Sequence, residues 1–455
     1  MQAVNSTSMG VITIADLLVA VLYIMVLWLV ASSITRNHID EEPCYKYFTA
    51  GLFLKVAAGI IFALFYTFHY GITDTHYYYW GTRCMERLAH KDFGIFVRAF
   101  FGDRSPEVAS SFDWYTGWPT YWRDPNSFAV CRFNIIFYLL GFKTFIGNTI
   151  VMNAFFYIAY WRFYKLMLRL FPANDRNFAI ALLFVPSVVF WGSGLLKDGW
   201  CLAAMLFIFI SIHNIFINRT RLQYSILVLV VWGYVCFEIR AYTFFTAVLA
   251  SIIWVAFVVI NRMKSGMMRV LIFPIIALFA WLIGVGVFMR FGSLASSRYQ
   301  SIDSIIETAV IIQDDLRKDY YGGNSFDIGE FDPTIGGMLS KAPQAIMAGV
   351  FRPFLWDVRN PLMLISALET TIAFILIIKI LLSMGVRRFF AVILRRPFLM
   401  AAFVLMLTYA FFVGITTANF GALVRYRMPV LVFLSLILAV EWRYMNLLKA
   451  IESDD

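Results

Sequence analysis

Charge is scarce in this chain. Lys, Arg, Asp and Glu together make up 15% of its 455 residues, against roughly a quarter in a soluble globular domain, which excludes an ordinary water-soluble fold. Cysteine and histidine are sparse as well, five of each. Cys44, Cys84, Cys131, Cys201 and Cys236 show no metal-ligand spacing. Only Cys84 and Cys131 share one stretch between apolar runs, which leaves a single disulfide open if that stretch meets an oxidising compartment. No Lys or Arg precedes the first apolar run, Val11 to about Ser33, whereas Arg36 follows it. A secretory signal has the reverse order, so residues 11–33 are expected to remain as a first span with the N-terminus outside. Short-period repeats and low-complexity tracts are missing too, and neither end reads as a soluble domain.

Apolar residues take the place of charge. They make up 61% of the chain, with aromatics at 18%, a composition that suits interfacial belts and ring-lined cavities. Runs long enough to cross ~30 Å of hydrocarbon at ~1.5 Å per residue fall at 11–33, 50–70, 146–166, 177–195, 199–217, 223–237, 241–260, 270–290, 362–383, 398–415 and 427–445. The expected fold is therefore all-α, a single polytopic membrane domain with about eleven helices. The apolar stretch "FNIIFYLLGFK" (133–143) is too short to span and is expected to lie as an interfacial helix.

Basic residues then orient the chain. With the N-terminus outside, the cytoplasmic loops hold Arg36 and Lys46, Arg162 to Arg176, Arg219 and Arg221, Arg262 to Arg269, and Arg387, Arg388, Arg395 and Arg396. Such a bias sets orientation and puts the C-terminus in the cytoplasm. It also accounts for the net charge of +10 without a nucleic-acid partner. Two long segments, 71–145 and 291–360, face outside and read as ordered. Residues 304–319 have helical periodicity, and "YYGGNSFDIGEFDPTIGG" behind them is loop chemistry.

Ionisable residues gather at that outer edge: Asp74, His76 and Tyr77 to Tyr79; Lys197 and Asp198; Glu238 and Arg240; Arg352 and Asp357; Arg425, Tyr426 and Arg427. Such groups are costly at a membrane boundary unless they pair or line a wet cavity. Converging Arg and Lys suit a phosphate, and a nearby carboxylate can take a proton from a hydroxyl nucleophile. Plainer readings stand beside these. Lys197–Asp198 and Glu238–Arg240 also fit as pairs tying short turns, Arg425 and Arg427 as snorkelling anchors, Tyr77–Tyr79 as an aromatic belt, and Asp74 as a helix cap. His69, Asp74 and His76 match no strong metal motif. Lys55 is placed to snorkel, while Asp16 and Glu369 suit either a structural hydrogen bond or a cavity role.

The order of features resembles the GT-C superfamily of polytopic glycosyltransferases, above all the protein mannosyltransferase and aminoarabinose transferase branch. The residues that carry the resemblance are "DTHYYYW" (74–80), the short apolar helix and glycine turn within 135–171, "VPSVVFWGSGLLKDGW" (185–200) and "RYRMPVLVFLSLIL" (425–438). The segment "FRPFLWD" (351–357) is similar to bacterial polysaccharide-polymerase-like membrane proteins. Two features depart from the family pattern: an extra span precedes the one leading to Asp74, and Asp74 has no paired acidic neighbour.

The resemblance implies a sugar donor carried on polyprenyl phosphate and a glycan, lipid or protein acceptor. Asp74 would be general base. Lys197, Arg240, Arg425 and Arg427 would hold the departing phosphate, with Asp198, Glu238 and Arg352 around them. His76, Tyr77 and Tyr78 would contact substrate, Tyr77, Tyr78 and Trp80 by stacking or packing. No cofactor is expected, a divalent cation being left open. The implied location is a bacterial inner membrane with the site facing the periplasm. The rivals are a polymerase of lipid-linked repeats and a lipid-linked glycan flippase. The flippase fits less well, because no inverted repeat is present and charges collect at the rim.

Overall fold

The computed structural model describes residues 12–262 and 334–454, together with Ile311, Phe326, Gly329 and Asp332. The expected span 270–290, the stretch 304–319 and most of 291–360 lie outside the described residues. Among those described the chain is all-helical with no strand. In order the helices are α1 (Ile14–His38), α2 (Phe48–Phe65), α3 (Asp74–Lys91), α4 (Phe93–Phe100), α5 (Pro106–Ser110), α6 (Pro125–Phe133) and α7 (Ile135–Leu140). Next come α8 (Phe145–Leu170), α9 (Asp175–Leu183), α10 (Pro186–Trp191), α11 (Lys197–Ile212) and α12 (Leu222–Asn261). The last group is α13 (Ile335–Ser340), α14 (Ala342–Phe351), α15 (Pro361–Met384), α16 (Val386–Arg395), α17 (Pro397–Thr416), α18 (Phe420–Tyr426) and α19 (Met428–Asp454).

Seven of these helices, some extended by a flanking turn, are long and apolar enough to cross a membrane, or eight if one bent pair counts as a span. This is the architecture of a multi-pass membrane protein. Three of the expected spans take a different form. Residues 177–195 do not make one helix. The chain leaves helical geometry at Phe184 and restarts with Pro186 as the first residue of α10, as the restriction on the residue before proline requires. The spans expected at 223–237 and 241–260 are continuous in α12, whose 40 residues would measure ~60 Å if straight. Arg240 alone within it is non-helical, at φ −157° and ψ 86°. The break divides α12 into residues 222–239 and 241–261, each close to the ~20 residues a span needs. The stretch 133–143 is a short helix, α7, and the α6–α7 segment meets α8 at 101°. The turn between them uses Phe142 and Lys143 at positive φ, and Ile136, Leu139 and Leu140 stay exposed.

The chain packs as two compact units. One comprises Met1–Arg162, Val189–Ala204 and Tyr234–Arg240, and the other the remaining residues. In the first unit α1 is apolar on all sides and mostly uncovered, so its anchorage is polar. Asp16 accepts from the Thr13 backbone at 2.9 Å and, with its other oxygen, from the Ile146 N–H at the start of α8, also 2.9 Å. Of the two roles open to Asp16, the structure shows the structural one. Lys55 does not snorkel. Its ammonium is buried, donating to the Gly192 carbonyl at 2.9 Å and lying 4.4 Å from the centre of the Tyr160 ring. Asn153 holds the next carbonyl, Ser193 O, at 2.7 Å. A Cβ at Gly59 would lie 2.5 Å from that amide, and one at Gly194 2.6 Å from the Phe62 ring. The turn "WGSGLL" before α11 is thus pinned from both sides, and this pinning places Lys197 and Asp198.

The second unit closes through small residues. A Cβ at Gly349 in α14 would fall on the Ala410 carbonyl oxygen, and one at Gly414 in α17 on that of Ala345. Close approach through small side chains is how helices associate where lipid offers no hydrophobic drive. Gly414→Leu is therefore expected to separate α14 from α17 and to remove the protein from the monodisperse peak on size-exclusion chromatography in detergent. Gly336→Leu, at a glycine with nothing within 4 Å, should leave elution unchanged.

Candidate functional site

The approach to Asp74 is set by the backbone. After α2 the chain makes one wider turn, Tyr66–Tyr70, and Gly71 takes φ +74°, a conformation glycine adopts without steric cost. Thr73 then caps α3, with His76 completing a reciprocal capping box. Asp74 is thereby the first helical residue and not the cap. His76 is buried with both ring nitrogens engaged, Nδ1 near the Thr73 backbone at 3.2 Å and Nε2 at the Thr67 hydroxyl at 2.9 Å. It also stacks on Phe145. Burial holds its pKa below the usual histidine value. These contacts give His76 a structural role in the turn before α3.

Asp74 meets a residue from the far side of the same segment. The Tyr121 hydroxyl donates to Asp74 Oδ1 at 2.7 Å. Tyr78 and Tyr77 pack around Tyr121 with ring centroids 4.9 and 5.9 Å away, so they form the wall that positions the phenol. Burial first, then Tyr78 and Asp74, push the Tyr121 phenol far above its ordinary pKa. Tyr121 therefore stays protonated and remains a donor to Asp74.

A second group of charges comes together beside it. Asp124 caps α6 and accepts from Asn126 N at 3.2 Å, the Ser127 hydroxyl at 2.6 Å and Lys197 Nζ at 3.4 Å. Lys197 also lies within the electrostatic reach of Arg240 and Asp74. Arg240, at the break in α12, donates to Asp198 Oδ1 at 2.8 Å, with both side chains nearly sealed from solvent. Two residues earlier Glu238 receives the buried Arg132 guanidinium at 2.5 Å, and its backbone carbonyl accepts from Asn126 at 2.8 Å. The segment 121–132, the start of α11 and the break in α12 thus form one polar layer in the first unit. It pairs a carboxylate–phenol dyad with an ammonium and a guanidinium, groups suited to proton removal and to an anionic phosphate.

Of the residues expected from sequence, Asp74, Tyr77, Tyr78, Lys197, Asp198, Glu238 and Arg240 belong to this layer. Tyr121, Asp124 and Arg132 were not singled out. A signal for Asp124 exists in "RDPN", an aspartate before a proline that opens a helix. For Arg132 the signal is a lone cation in an apolar helix, which must find a partner. Arg352, Arg425 and Arg427 belong to the other unit. There Arg427 is fully buried, its guanidinium donating to the Arg352 carbonyl and to Ser366. It clamps chain segments together and does not snorkel. The Arg352 guanidinium lies 5.3 Å from the centre of the Phe326 ring, and that of Arg425 5.9 Å from Tyr426. Glu369 accepts from Ser187 N at 2.7 Å. All five cysteines are buried without a disulfide. Among the described residues no group of three or more His, Cys, Asp or Glu is arranged to hold a metal ion. No protein-family model matches the chain, and no curated protein or solved structure matches it either.

The buried pair gives a direct test. Arg240→Leu strands Asp198 as an uncompensated charge and should cost about 3–5 kcal/mol. Adding Asp198→Leu should recover most of that loss. Thermal unfolding of the two variants in detergent measures the difference.

Proposed function

We propose that the chain is a membrane glycosyltransferase of the GT-C type, moving a sugar from polyprenyl phosphate to an acceptor hydroxyl at the outer face of a bacterial inner membrane. The observation that carries this reading is the Asp74–Tyr121 dyad together with Lys197, which lies within the electrostatic reach of both Asp74 and Arg240. In the reaction the acceptor oxygen attacks the anomeric carbon and its proton passes to Asp74. The bond from that carbon to the phosphate oxygen breaks, and polyprenyl phosphate departs with the electron pair and inverted configuration is left at the sugar. Tyr121 orients the carboxylate, while Lys197 and Arg240 offset the charge that grows on the leaving phosphate. The acceptor is a glycan, lipid or protein of the cell surface.

In this reading the N-terminus is outside, the C-terminus is cytoplasmic, and the helices of 71–145 stand at the outer face. The charge bias of the short loops supports that orientation, and it can be tested separately from the chemistry. With every native cysteine buried, Trp114→Cys, at a position 92% exposed, should react with an impermeant maleimide in intact spheroplasts. Arg219→Cys, in the turn before α12, should react only after the membrane is opened. The opposite pattern rejects the orientation.

Asp74→Asn at normal abundance should lower cell-surface glycan transfer by about 10²–10⁴-fold, the range for loss of a general base. Tyr121→Phe should retain more activity than Asp74→Asn. Undiminished transfer by Asp74→Asn rejects the base. Loss of a single sugar from every chain marks a transferase, and collapse to single repeats marks a polymerase instead. Movement of lipid-linked sugar across vesicles without a new bond marks a transporter.

A further inference from the structure

Helix α16 carries a feature that sugar transfer does not use. Its ten residues, "VRRFFAVILR", join the ends of two apolar helices, α15 and α17, with Gly385 at φ +80° turning the chain before it and Pro397 opening the helix that follows. Three faces are distinct. Phe389 and Ile393, one turn apart, are buried against the second unit. Val386, Phe390 and Leu394 form an exposed apolar stripe at 59, 41 and 52% exposure. Basic residues stand at each end, Arg387 and Arg388 at the start, Arg395 and Arg396 at the finish. A helix with an apolar stripe and flanking cations belongs in the plane of a membrane surface.

The four arginines do not point apart. Together with Tyr444 of α19 they line one cavity of about 440 Å³. Arg387, Arg395 and Arg396 make no ion pair with the described residues, and no acidic side chain lines the cavity. The two arginine pairs are about 12 Å apart along the helix, and both line the cavity. Guanidinium groups grip phosphate oxygens bidentately, and the Tyr444 hydroxyl adds a neutral donor. The apolar stripe beside them gives hydrocarbon chains a surface to lie on. A free anion would need the cations alone and would leave the stripe without a purpose.

We infer that α16 and Tyr444 form a binding site for the phosphodiester headgroup of an anionic bilayer phospholipid, whose chains run along Val386, Phe390 and Leu394. The occupant belongs to the leaflet in which α16 lies. Basic pockets between membrane helices recognise anionic headgroups in this way, at a strength corresponding to about fivefold per Arg near the surface. The site is separate from the Asp74 layer, and its test does not depend on sugar transfer.

The test is native mass spectrometry of the purified full chain in neutral detergent with equal amounts of phosphatidylglycerol and phosphatidylcholine. The wild-type chain should retain phosphatidylglycerol more than about tenfold over phosphatidylcholine. Arg387→Gln with Arg388→Gln, and separately Arg395→Gln with Arg396→Gln, should each lower phosphatidylglycerol retention by about 25-fold. Arg219→Gln with Arg221→Gln, an exposed pair elsewhere, should leave it unchanged. Equal retention of the two lipids by the wild-type chain overturns the site, whatever the variants do. So does unchanged preference in both double variants, or displacement of the lipid by millimolar inorganic phosphate, which would mark a site for the free anion.

Discussion

Asp198 and Arg240, 2.8 Å apart and almost closed to solvent, are the contact around which the first unit is organised. Each charge alone would be untenable at that depth of burial. Together they fix two things at once, because Asp198 opens α11 and Arg240 is the non-helical residue within α12. The turn before Asp198 is in turn held by Lys55 and Asn153 through the Gly192 and Ser193 carbonyls. A chain of polar contacts therefore runs from the middle of α2 to the break in α12. Lys197, Asp124, Glu238 and Arg132 take their positions from it, and Asp74 with Tyr121 stands at its edge.

Much of this was legible before any coordinates. Apolar runs announced the helices, because length and hydropathy decide what can cross hydrocarbon. They were less informative about where a run breaks. Val185–Pro186 divides an apolar stretch that composition alone reads as continuous, and Arg240 interrupts α12 by conformation, not by a breaker residue. The acids and bases of the candidate layer were visible as costly polar residues near helix ends. Tyr121 was not, since a tyrosine among aromatics looks like packing until its hydroxyl is seen on Asp74. Lys55 and Arg427 show the opposite difficulty. Both are isolated cations in apolar surroundings, a pattern shared by snorkelling residues, ligand contacts and buried clamps. What separates these roles is the partner, a backbone carbonyl in each case, and sequence gives carbonyls no distinguishing mark.

The two units settle their polar groups differently. In the first, side-chain charges meet opposite charges, leaving a layer of alternating sign. In the second, Arg427 donates to carbonyl and hydroxyl dipoles, and helices close through Gly349 and Gly414. An arginine held by dipoles alone has no carboxylate facing it, so its positive charge raises the potential around it. Glu369 lies within its electrostatic influence.

Asp16 joins two helix starts that are about 130 residues apart in the chain. One carboxylate oxygen serves the beginning of α1 and the other that of α8, so the two helices begin at a common level. α1 is the least covered of the candidate spans among the described residues. Asp16 thus ties the start of α1 to the α7–α8 bend, where Lys143 bonds Glu86 of α3 at 2.6 Å. The helix that begins with Asp74 is thereby joined to the least covered span of the unit through side-chain contacts.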